Sequence, residues 1–494
     1  MADYDLAIIG GGLNGVSVAR DAAGRGLRVI LLEQGDLASA ASGAGSRLIQ
    51  GDLALLEHRR LFRVRARLAE RQLWLRNAPH LVRPKRFAIP VHPEERPPWL
   101  LRAGLLLYDR LAAATSLPPS RVVDVTHHPI GHPLKRPFGL AFEYSDCAVD
   151  DTRLVVLAAL DAAERGAAIK TGARCVRAER ADIWRLVVID RGHRQVITAR
   201  ALANTTGAWV PMVAETALRQ APPRQVSPIQ VSQIIVRRLF ETDHVYLFQH
   251  SDGRLIYASP YERDFTLIRT VARTFRGDPA IVAMPAADVA YLCDAVSRYF
   301  REPLHPADVV RTISGVNLAT SQGGQGVSQD AVLQFDHGRR RAPLITLFGG
   351  EVTMSRQRAE RAVALLTPFY PMSPRWTADA RLPGGDLAWD GFEDEVEAAC
   401  ERWPFLTEPQ AHRLIGAYGS RLGAVLGEAK RRDDLGPAFG PELTAAEVRY
   451  LMTKEWARFP EDVLWRRSKL GLTIAASDRE ALAAFMTGTA QLGQ

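Results

Sequence analysis

The first part of the chain alternates short apolar runs with glycine-containing turns. Leu6 to Ile9 is a continuous apolar run, which predicts a strand buried on both faces of a parallel sheet. Val16 to Ala23 repeats apolar residues at helical spacing, and Val29 to Leu32 is a second apolar run. The order strand, helix, strand over residues 4–34 predicts a βαβ unit.

The turn between the first strand and its helix carries a GxGxxG motif, formed by Gly10, Gly12 and Gly15. The first glycine permits a tight turn, the second lets the backbone approach a pyrophosphate, and the third lets the helix pack against the strand. Glu33 ends the second strand, where a carboxylate bonds ribose hydroxyls and would repel a 2′-phosphate. The motif therefore predicts a dinucleotide site that disfavours NADP.

Similar patterns return at 150–210 and 340–366, with other material between them. We therefore predict an α/β fold: a discontinuous Rossmann-type nucleotide-binding domain, an inserted mixed α+β substrate domain, and a helical domain after the loop 382–385. The predicted boundaries are 1–80, 150–220 and 310–380 for the first domain, 81–149 and 221–309 for the second, and 386–494 for the C-terminal α-helical domain.

Composition changes this picture little. The 494 residues carry a net charge of +8, and only six of the 63 basic residues are lysine. The positive excess favours an anionic membrane surface as a partner, whereas the scattered basic residues and missing motifs argue against nucleic acid. The Trp99–Leu111 stretch, flanked by arginines, predicts either a membrane-contacting amphipathic helix or a core helix.

The cysteines and histidines give no metal or disulfide pattern. Cys147, Cys175, Cys293 and Cys400 are widely separated, and His127, His128 and His132 are interpreted as ordinary surface histidines of a loop, so we expect no metal site. There is no signal-peptide pattern and no apolar run of membrane-spanning length, which favours a cytoplasmic protein.

Many short colinear motifs together resemble the aerobic, FAD-dependent glycerol-3-phosphate dehydrogenases. The resemblance covers nearly the whole chain. The motifs include Asp21-Ala22-Ala23-Gly24-Arg25-Gly26, Ala78-Pro79-His80-Leu81, Glu143-Tyr144-Ser145-Asp146, Phe348-Gly349-Gly350, Leu382-Pro383-Gly384-Gly385 and Trp403-Pro404-Phe405-Leu406.

The resemblance implies non-covalent FAD, hydride transfer from glycerol 3-phosphate to the flavin, electron transfer to quinone, and a peripheral protein on the inner face of the membrane. It also implies a dimer. The residues that it places around FAD are Gly10, Gly12, Leu13, Asn14, Gly15, Glu33, Ser42, Ser46, Arg47, Leu48, Thr206, Gly207, Gly315, Gly349, Gly350 and Thr353.

The chain departs from the family pattern where the substrate is expected. Two family histidines are replaced by Gln50 and Gln233, and Asp52 follows the first. A Gly-Thr-Thr-Asp run becomes Arg269-Thr270-Val271-Ala272. Two family arginines correspond to Asn317 and Gln329, the arginine of an Arg-Tyr pair corresponds to Ala54, and the lysine after Phe348-Gly349-Gly350 corresponds to Glu351.

These departures remove cations that a phosphate dianion needs, and they add two carboxylates. Arg269, Arg273, Arg311 and Arg356 are possible replacement cations. Glutamine cannot accept a proton, so a base would have to be Asp52 or Glu351 with a raised pKa. The alternative is that Glu351 is a solvated loop acid and Asp52 caps the following helix.

Three hypotheses follow. The chain keeps the family reaction with rearranged anion-binding residues, or it oxidises another small alcohol or amine, or it binds FAD without turnover and acts as a partner protein. The candidate substrate-site residues are Gln50, Asp52, Gln233, Arg269, Thr270, Asn317, Gln329 and Glu351.

Overall fold

Two large β-sheets and a mainly helical C-terminal region with a two-stranded sheet form the fold of the computed structural model, which describes residues 2–91, 97–112, 115–135, 138–222, 226–250, 252–269, 273–321, 327–328 and 330–492. The strands are β1 (Tyr4–Ile9), β2 (Val29–Glu33), β3 (Leu48–Ile49), β4 (Val82–Pro90), β5 (Arg121–Asp124), β6 (Leu140–Val149), β7 (Ala168–Thr171), β8 (Ala173–Arg180), β9 (Trp184–Asp190), β10 (His193–Asn204), β11 (Val226–Arg237), β12 (His244–Gln249), β13 (Leu255–Tyr261), β14 (Phe265–Arg269), β15 (Arg273–Thr274), β16 (Val309–Ser321), β17 (Val327–Ser328), β18 (Val332–Gly338), β19 (Arg341–Phe348), β20 (Ala438–Phe439) and β21 (Leu443–Thr444). The helices are α1 (Leu13–Gly24), α2 (Ala54–Glu57), α3 (Leu61–Asn77), α4 (Pro98–Leu111), α5 (Asp151–Glu164), α6 (Val210–Thr216), α7 (Ala286–Ser297), α8 (Ser355–Ala364), α9 (Phe392–Arg402), α10 (Glu408–Tyr418), α11 (Leu422–Leu426), α12 (Ala445–Lys454) and α13 (Ala476–Leu492).

The first sheet has the strand order β18-β19-β10-β1-β2-β7, with the β8–β9 hairpin attached to β10. Strand β1 runs parallel to both neighbours, and Ile8 lies opposite Leu31 of β2 and Ala203 of β10. Leu6 and Ile8 belong to one apolar cluster, whereas Ala7 and Ile9 belong to the cluster on the other face. The sheet is therefore covered on both faces, and the predicted α/β fold is confirmed.

The second sheet has the strand order β17-β16-β11-β14-β13-β12-β4-β6-β3. It includes β16, which pairs antiparallel with β11 from Val226 opposite Thr320 to Val236 opposite Val309. The boundary at residue 310 put this strand in the first domain. Its hydrogen bonds with β11 place it in the second sheet instead. A long ladder of hydrogen bonds assigns a strand to its sheet, even though the strands β18 and β19 that follow in sequence belong to the first sheet.

Residues 54–77 form two helices rather than one. Helix α2 ends at Glu57 and α3 begins at Leu61, and Arg59 between them has φ of +53°. A left-handed residue cannot continue an α-helix, so the chain turns at this point. The turn brings α3 across the edge of the second sheet, where it packs against α4 and β4.

Buried ion pairs join the C-terminal helices to the first domain. Arg467 donates from both terminal nitrogens to Asp36, and the Nη2 to Oδ1 distance is 2.8 Å. Arg153 of α5 pairs with Glu455 in the same bidentate manner. The loop 382–385, predicted as a linker, is buried, and a Cβ at Gly384 would lie 2.2 Å from the Tyr418 carbonyl oxygen. The two regions therefore form one packed unit.

Removal of the buried Arg467 side chain should weaken this attachment. Arg467→Ala leaves Asp36 with one arginine fewer, and breaking a buried pair costs about 3–5 kcal/mol of unfolding free energy. We expect a lower urea midpoint by tryptophan fluorescence. The exposed pair of Arg431 with Asp434 provides the control, because Arg431→Ala should cost less than about 1 kcal/mol. Equal midpoints for the two variants would contradict the assignment.

Candidate active site

The turn between β1 and α1 is built on close backbone contacts. Gly10 has φ of +110°, a conformation that side chains with a Cβ rarely adopt. A Cβ at Gly15 would lie 1.9 Å from the Gly10 carbonyl oxygen. These contacts hold the start of α1 against the end of β1, so its first N–H groups face the space above the sheet.

Glu33 ends β2 beside this turn. Its Oε2 accepts from the Gly11 N–H at 2.6 Å, and its Oε1 accepts from the Gly35 N–H at 2.7 Å. Burial raises the pKa of the Glu33 carboxyl, and the backbone N–H groups oppose that rise. The carboxylate is thus fixed next to the glycine turn, as the sequence motif requires.

One cavity of about 1410 Å³ extends from this turn to the face of the second sheet. Small-molecule sites occupy about 300–1,000 Å³, so this volume accommodates a dinucleotide together with a small substrate. The predicted cofactor residues that line it are Gly10, Gly12, Leu13, Asn14, Glu33, Ser42, Ser46, Thr206, Gly207, Gly315, Gly349 and Gly350.

The other predicted cofactor residues lie next to the cavity without lining it. Gly15 lies beneath the turn, and Leu48 is buried in β3. The Arg47 side chain stacks on Tyr261 at 4.6 Å from the ring centre, while its N–H donates to Asp151 at 3.0 Å. The Thr353 hydroxyl accepts from the Gln50 N–H at 3.1 Å.

The bare glycine turn, the half-buried start of α1 at the cavity wall and the size of the cavity fit FAD. The side chain of Ser42 lies across α1, where its Oγ accepts from the Leu13 N–H at 3.0 Å. The Asn14 amide donates to the Gly349 carbonyl at 3.2 Å. The segments around 10–14, 42 and 349 would therefore hold the dinucleotide, although they are far apart in sequence.

Arg67 of α3 bridges the two carboxylates that the sequence added to the site. Its Nη1 lies 2.6 Å from Asp52 Oδ2, and its Nη2 lies 2.6 Å from Glu351 Oε2. Asp52 also accepts from the Ala54 N–H at 3.2 Å, whereas the N-cap position of α2 is Leu53. Burial raises the pKa of Glu351, and Arg67 opposes that rise. Glu351 therefore lines the cavity and pairs with an arginine.

The sequence did not identify two arginines of the cavity, Arg67 and Arg358. Arg358 lines the cavity and donates to the Asn14 side-chain oxygen at 3.2 Å, and burial lowers its pKa to about 10. Both arginines come from helices rich in charged residues, and only the tertiary structure distinguishes them from surface arginines. At the mouth of the cavity, Arg60 and Arg63 approach Asp330.

The two glutamines that replace family histidines both line the cavity. Gln233 lies on β11, where its side-chain nitrogen donates to the carbonyl oxygens of Ala44 at 2.9 Å and Gly45 at 2.7 Å. Its side-chain oxygen is buried and accepts no hydrogen bond from the residues that the structure describes. Asn317 of β16 also lines the cavity.

Arg269 lies at the end of β14 with its guanidinium in the cavity wall, 4.0 Å from the centre of the Tyr257 ring. Burial lowers its pKa. The three other proposed replacement cations are engaged elsewhere: Arg273 pairs with Asp288, Arg311 stacks on Trp465 and Arg356 pairs with Glu70. Two of the candidate substrate-site residues, Thr270 and Gln329, lie outside the described residues.

His127 approaches Asp124 at 3.1 Å, but within the described ranges no group of three or more histidine, cysteine or acidic residues could hold a metal ion.

Comparison with known proteins agrees with this geometry. Residues 5–353 match the family of FAD dependent oxidoreductases, and residues 375–491 match the C-terminal domain of alpha-glycerophosphate oxidase. A glycerol-3-phosphate dehydrogenase of Pseudomonas aeruginosa is 43% identical, with 98% of this chain and 95% of the relative covered. A D-erythritol 1-phosphate dehydrogenase of Brucella abortus is 39% identical, with 97% and 96% covered.

A solved structure shares the fold along almost the whole chain. The glycerol-3-phosphate dehydrogenase from Bacillus halodurans, complexed with FAD, aligns with a TM-score of 0.77 at 22% identity and covers 98% of this chain and 90% of its own. The fold, the glycine turn and the family match define an FAD-dependent oxidoreductase. More particularly, the chain belongs to the FAD-dependent glycerol-3-phosphate dehydrogenase family.

The contact between Gly15 and Gly10 makes FAD binding sensitive to one methyl group. In Gly15→Ala the new Cβ must displace the Gly10 carbonyl, so we expect purified protein with little or no flavin. The measurement is the ratio of flavin to protein absorbance. Gly488→Ala is the matched control, because its Cβ would meet no atom within 4 Å. A Gly15→Ala protein with a full complement of flavin would show that this approach is not required.

Proposed function

We propose that this enzyme oxidises a small alcohol or amine other than glycerol 3-phosphate, with FAD as the hydride acceptor. The observation that carries this proposal is the state of the cations in the cavity. Arg67 is bound by Asp52 and Glu351, Arg60 faces Asp330, and Arg358 is bound by Asn14. A bound phosphate would have to compete with these partners.

The phosphate group of such a substrate carries about 1.5 to 2 negative charges at neutral pH. Each charge-assisted hydrogen bond to it contributes about 1.5–3 kcal/mol, so losing several of them lowers the affinity by several powers of ten. Asp52 and Glu351 add repulsion on the same side of the cavity. A substrate with fewer negative charges and more hydrogen-bond donors suits these carboxylates better.

The family reaction is the second candidate, and the names of the two close relatives favour it. One is a glycerol-3-phosphate dehydrogenase and the other a D-erythritol 1-phosphate dehydrogenase. An FAD-binding partner protein without turnover is the third. Anaerobic reduction of the bound flavin separates the three. We expect millimolar glycerol 3-phosphate to leave the flavin oxidised, and a non-phosphorylated alcohol or amine to reduce it. Rapid reduction by glycerol 3-phosphate would refute the proposal, and the absence of any reductant would favour the third candidate.

Glu351 is the proposed base for the proton that leaves the hydroxyl or amino group. A base must be deprotonated, and burial raises the pKa of Glu351. The rate of flavin reduction should therefore rise with pH through a value above the ordinary range for glutamate, and stay high above it.

Glu351→Gln should lower the rate of flavin reduction by about 10²–10⁴-fold and remove this rise with pH. Asp52→Asn is the comparison variant, because it changes the other partner of Arg67. If Asp52→Asn, and not Glu351→Gln, removes the pH dependence, then Asp52 is the base.

Electron transfer to a membrane quinone is the proposed second half-reaction, and α4 is the proposed contact with an anionic membrane. The described residues contain no helix that could cross a bilayer. Trp99 is 71% exposed, and Leu100, Leu106 and Leu107 are also exposed, whereas Leu105 and Tyr108 of the same helix are buried. Arg110 of the same helix is exposed as well. Such a face fits the interface of an anionic bilayer.

Substitution of Trp99→Ala together with Leu106→Ala should reduce binding to phosphatidylglycerol vesicles at least about tenfold, since each buried apolar side chain contributes ~1.5–3 kcal/mol. Co-sedimentation measures this binding. Phe459→Ala removes an exposed apolar side chain from the C-terminal region and is the control. If the double variant and the control bind equally well, α4 is not the contact.

A further inference from the structure

Two buried polar groups in the wall of the cavity have no hydrogen-bond partner among the described residues. They are the Nε and Nη2 atoms of Arg269 and the side-chain oxygen of Gln233. A buried donor or acceptor that is left unpaired costs about 1–3 kcal/mol, and a charged group costs more. Such a cost is offset when a ligand supplies the missing partner.

These two side chains share one face of the second sheet. Arg269 lies directly opposite Gln233 on one neighbouring strand and opposite Tyr257 on the other. Residues opposite each other in antiparallel strands point to the same face, with their Cβ atoms about 4.5–5.5 Å apart. All three line the cavity, and the stacking of Arg269 on Tyr257 fixes the guanidinium.

The orientation of the Gln233 amide is set by its partners. Its nitrogen donates to two backbone carbonyls, Ala44 and Gly45, which can only accept. The free atom is therefore the oxygen, and it needs a donor. Arg269 offers only donors, so it needs an acceptor. The two side chains together select a ligand that carries an acceptor group and a donor group next to each other.

The charge of that ligand follows from the partners of the other cavity arginines. Arg67 is shared by two carboxylates, and Arg60 faces Asp330. Arg358 is held by the neutral Asn14 side chain, whereas the Nε and Nη2 atoms of Arg269 have no hydrogen-bond partner among the described residues, and no carboxylate lies within ion-pairing distance of Arg269. The Arg269 guanidinium is thus open to a ligand anion, and a carboxylate fits its planar fork in bidentate geometry.

We propose that Arg269 and Gln233 form a subsite for a carboxylate with a neighbouring hydroxyl or amino group, so that the substrate is a small 2-hydroxy or 2-amino carboxylate. This assignment rests on the proposed oxidation of a non-phosphorylated alcohol or amine. In the hydroxy case the carbinol C–H bond breaks and its hydride passes to FAD, the O–H proton passes to the base, and a C=O bond forms. A 2-oxo carboxylate and reduced FAD result.

The amino case gives an imino acid by the same loss of hydride and proton, and water then converts this imino acid to the 2-oxo acid and ammonia. In both cases the carboxylate takes no part in the chemistry. Its attachment to Arg269 positions the reacting carbon, and the Gln233 oxygen accepts from the O–H or N–H group of the substrate.

The test uses the FAD-loaded protein and measures ligand-induced changes in the spectrum of the oxidised flavin. The probes are pyruvate, as a carboxylate that cannot be dehydrogenated at C2, and inorganic phosphate. We expect pyruvate to bind at least tenfold more tightly than phosphate. Arg269→Gln should weaken pyruvate binding at least tenfold, and Arg269→Lys should have a smaller effect because a single ammonium keeps the charge but not the fork. Arg273→Gln is the control, because Arg273 is exposed and pairs with Asp288.

Three results would overturn the assignment. The first is tighter binding of phosphate than of pyruvate by the unaltered protein, and the second is an unchanged pyruvate affinity in Arg269→Gln. The third is loss of FAD from Arg269→Gln while Arg269→Lys binds pyruvate and phosphate equally well, which would mean that the arginine serves the cofactor. The comparison of the two probes on the unaltered protein needs no variant, so it decides even if Arg269→Gln does not fold.

Turnover separates this inference from the proposed function. Lactate and glycolate represent the hydroxy class, and alanine and glycine the amino class, each tested by anaerobic flavin reduction. Reduction by one of them supports both proposals. Reduction only by an alcohol or amine without a carboxylate refutes the subsite while the proposed function stands. Carboxylate binding through Arg269 without reduction by any compound supports the subsite and refutes the proposed function.

Discussion

The pairing of buried arginines with carboxylates is the interaction on which this structure depends. The glycine-turn helix α1 is tied to α5 by Arg20 and Asp161, at 2.5 Å, and the C-terminal helices are tied to the first domain by Arg467 and Asp36. Arg356 joins α8 to Glu70 of α3 at 2.5 Å. Because a buried charge without a partner is strongly unfavourable, these pairs fix how the elements pack as well as how tightly.

The cavity obeys the same constraint, and its chemistry follows from it. Asp52 and Glu351 both pair with Arg67 of α3, which supplies the cation between these two carboxylates. The same contact that neutralises these carboxylates makes Arg67 unavailable to an anionic substrate. The position of α3, set by packing against the second sheet, thus decides which charges the cavity can offer.

The sequence predicted the parts of the site that depend on local geometry. The positive φ of Gly10 and the approach of Gly15 are properties of a few consecutive residues, so a motif can specify them. The pairing of Asp52 and Glu351 depends on the position of Arg67 in a helix that folds against them, and no local sequence pattern predicts that position. Strand β16 was misplaced for a related reason, since its ladder with β11 joins residues far apart in the chain.

Arg269 departs from this pairing with carboxylates and is the most informative residue of the cavity. Its guanidinium has two unpaired buried nitrogens, yet a strand and an aromatic ring hold it in place. Local rules fail in folded proteins chiefly at functional sites. In the family pattern this position is a glycine, so the guanidinium is an addition to the site. A rigidly held charge discriminates between anions by charge and shape.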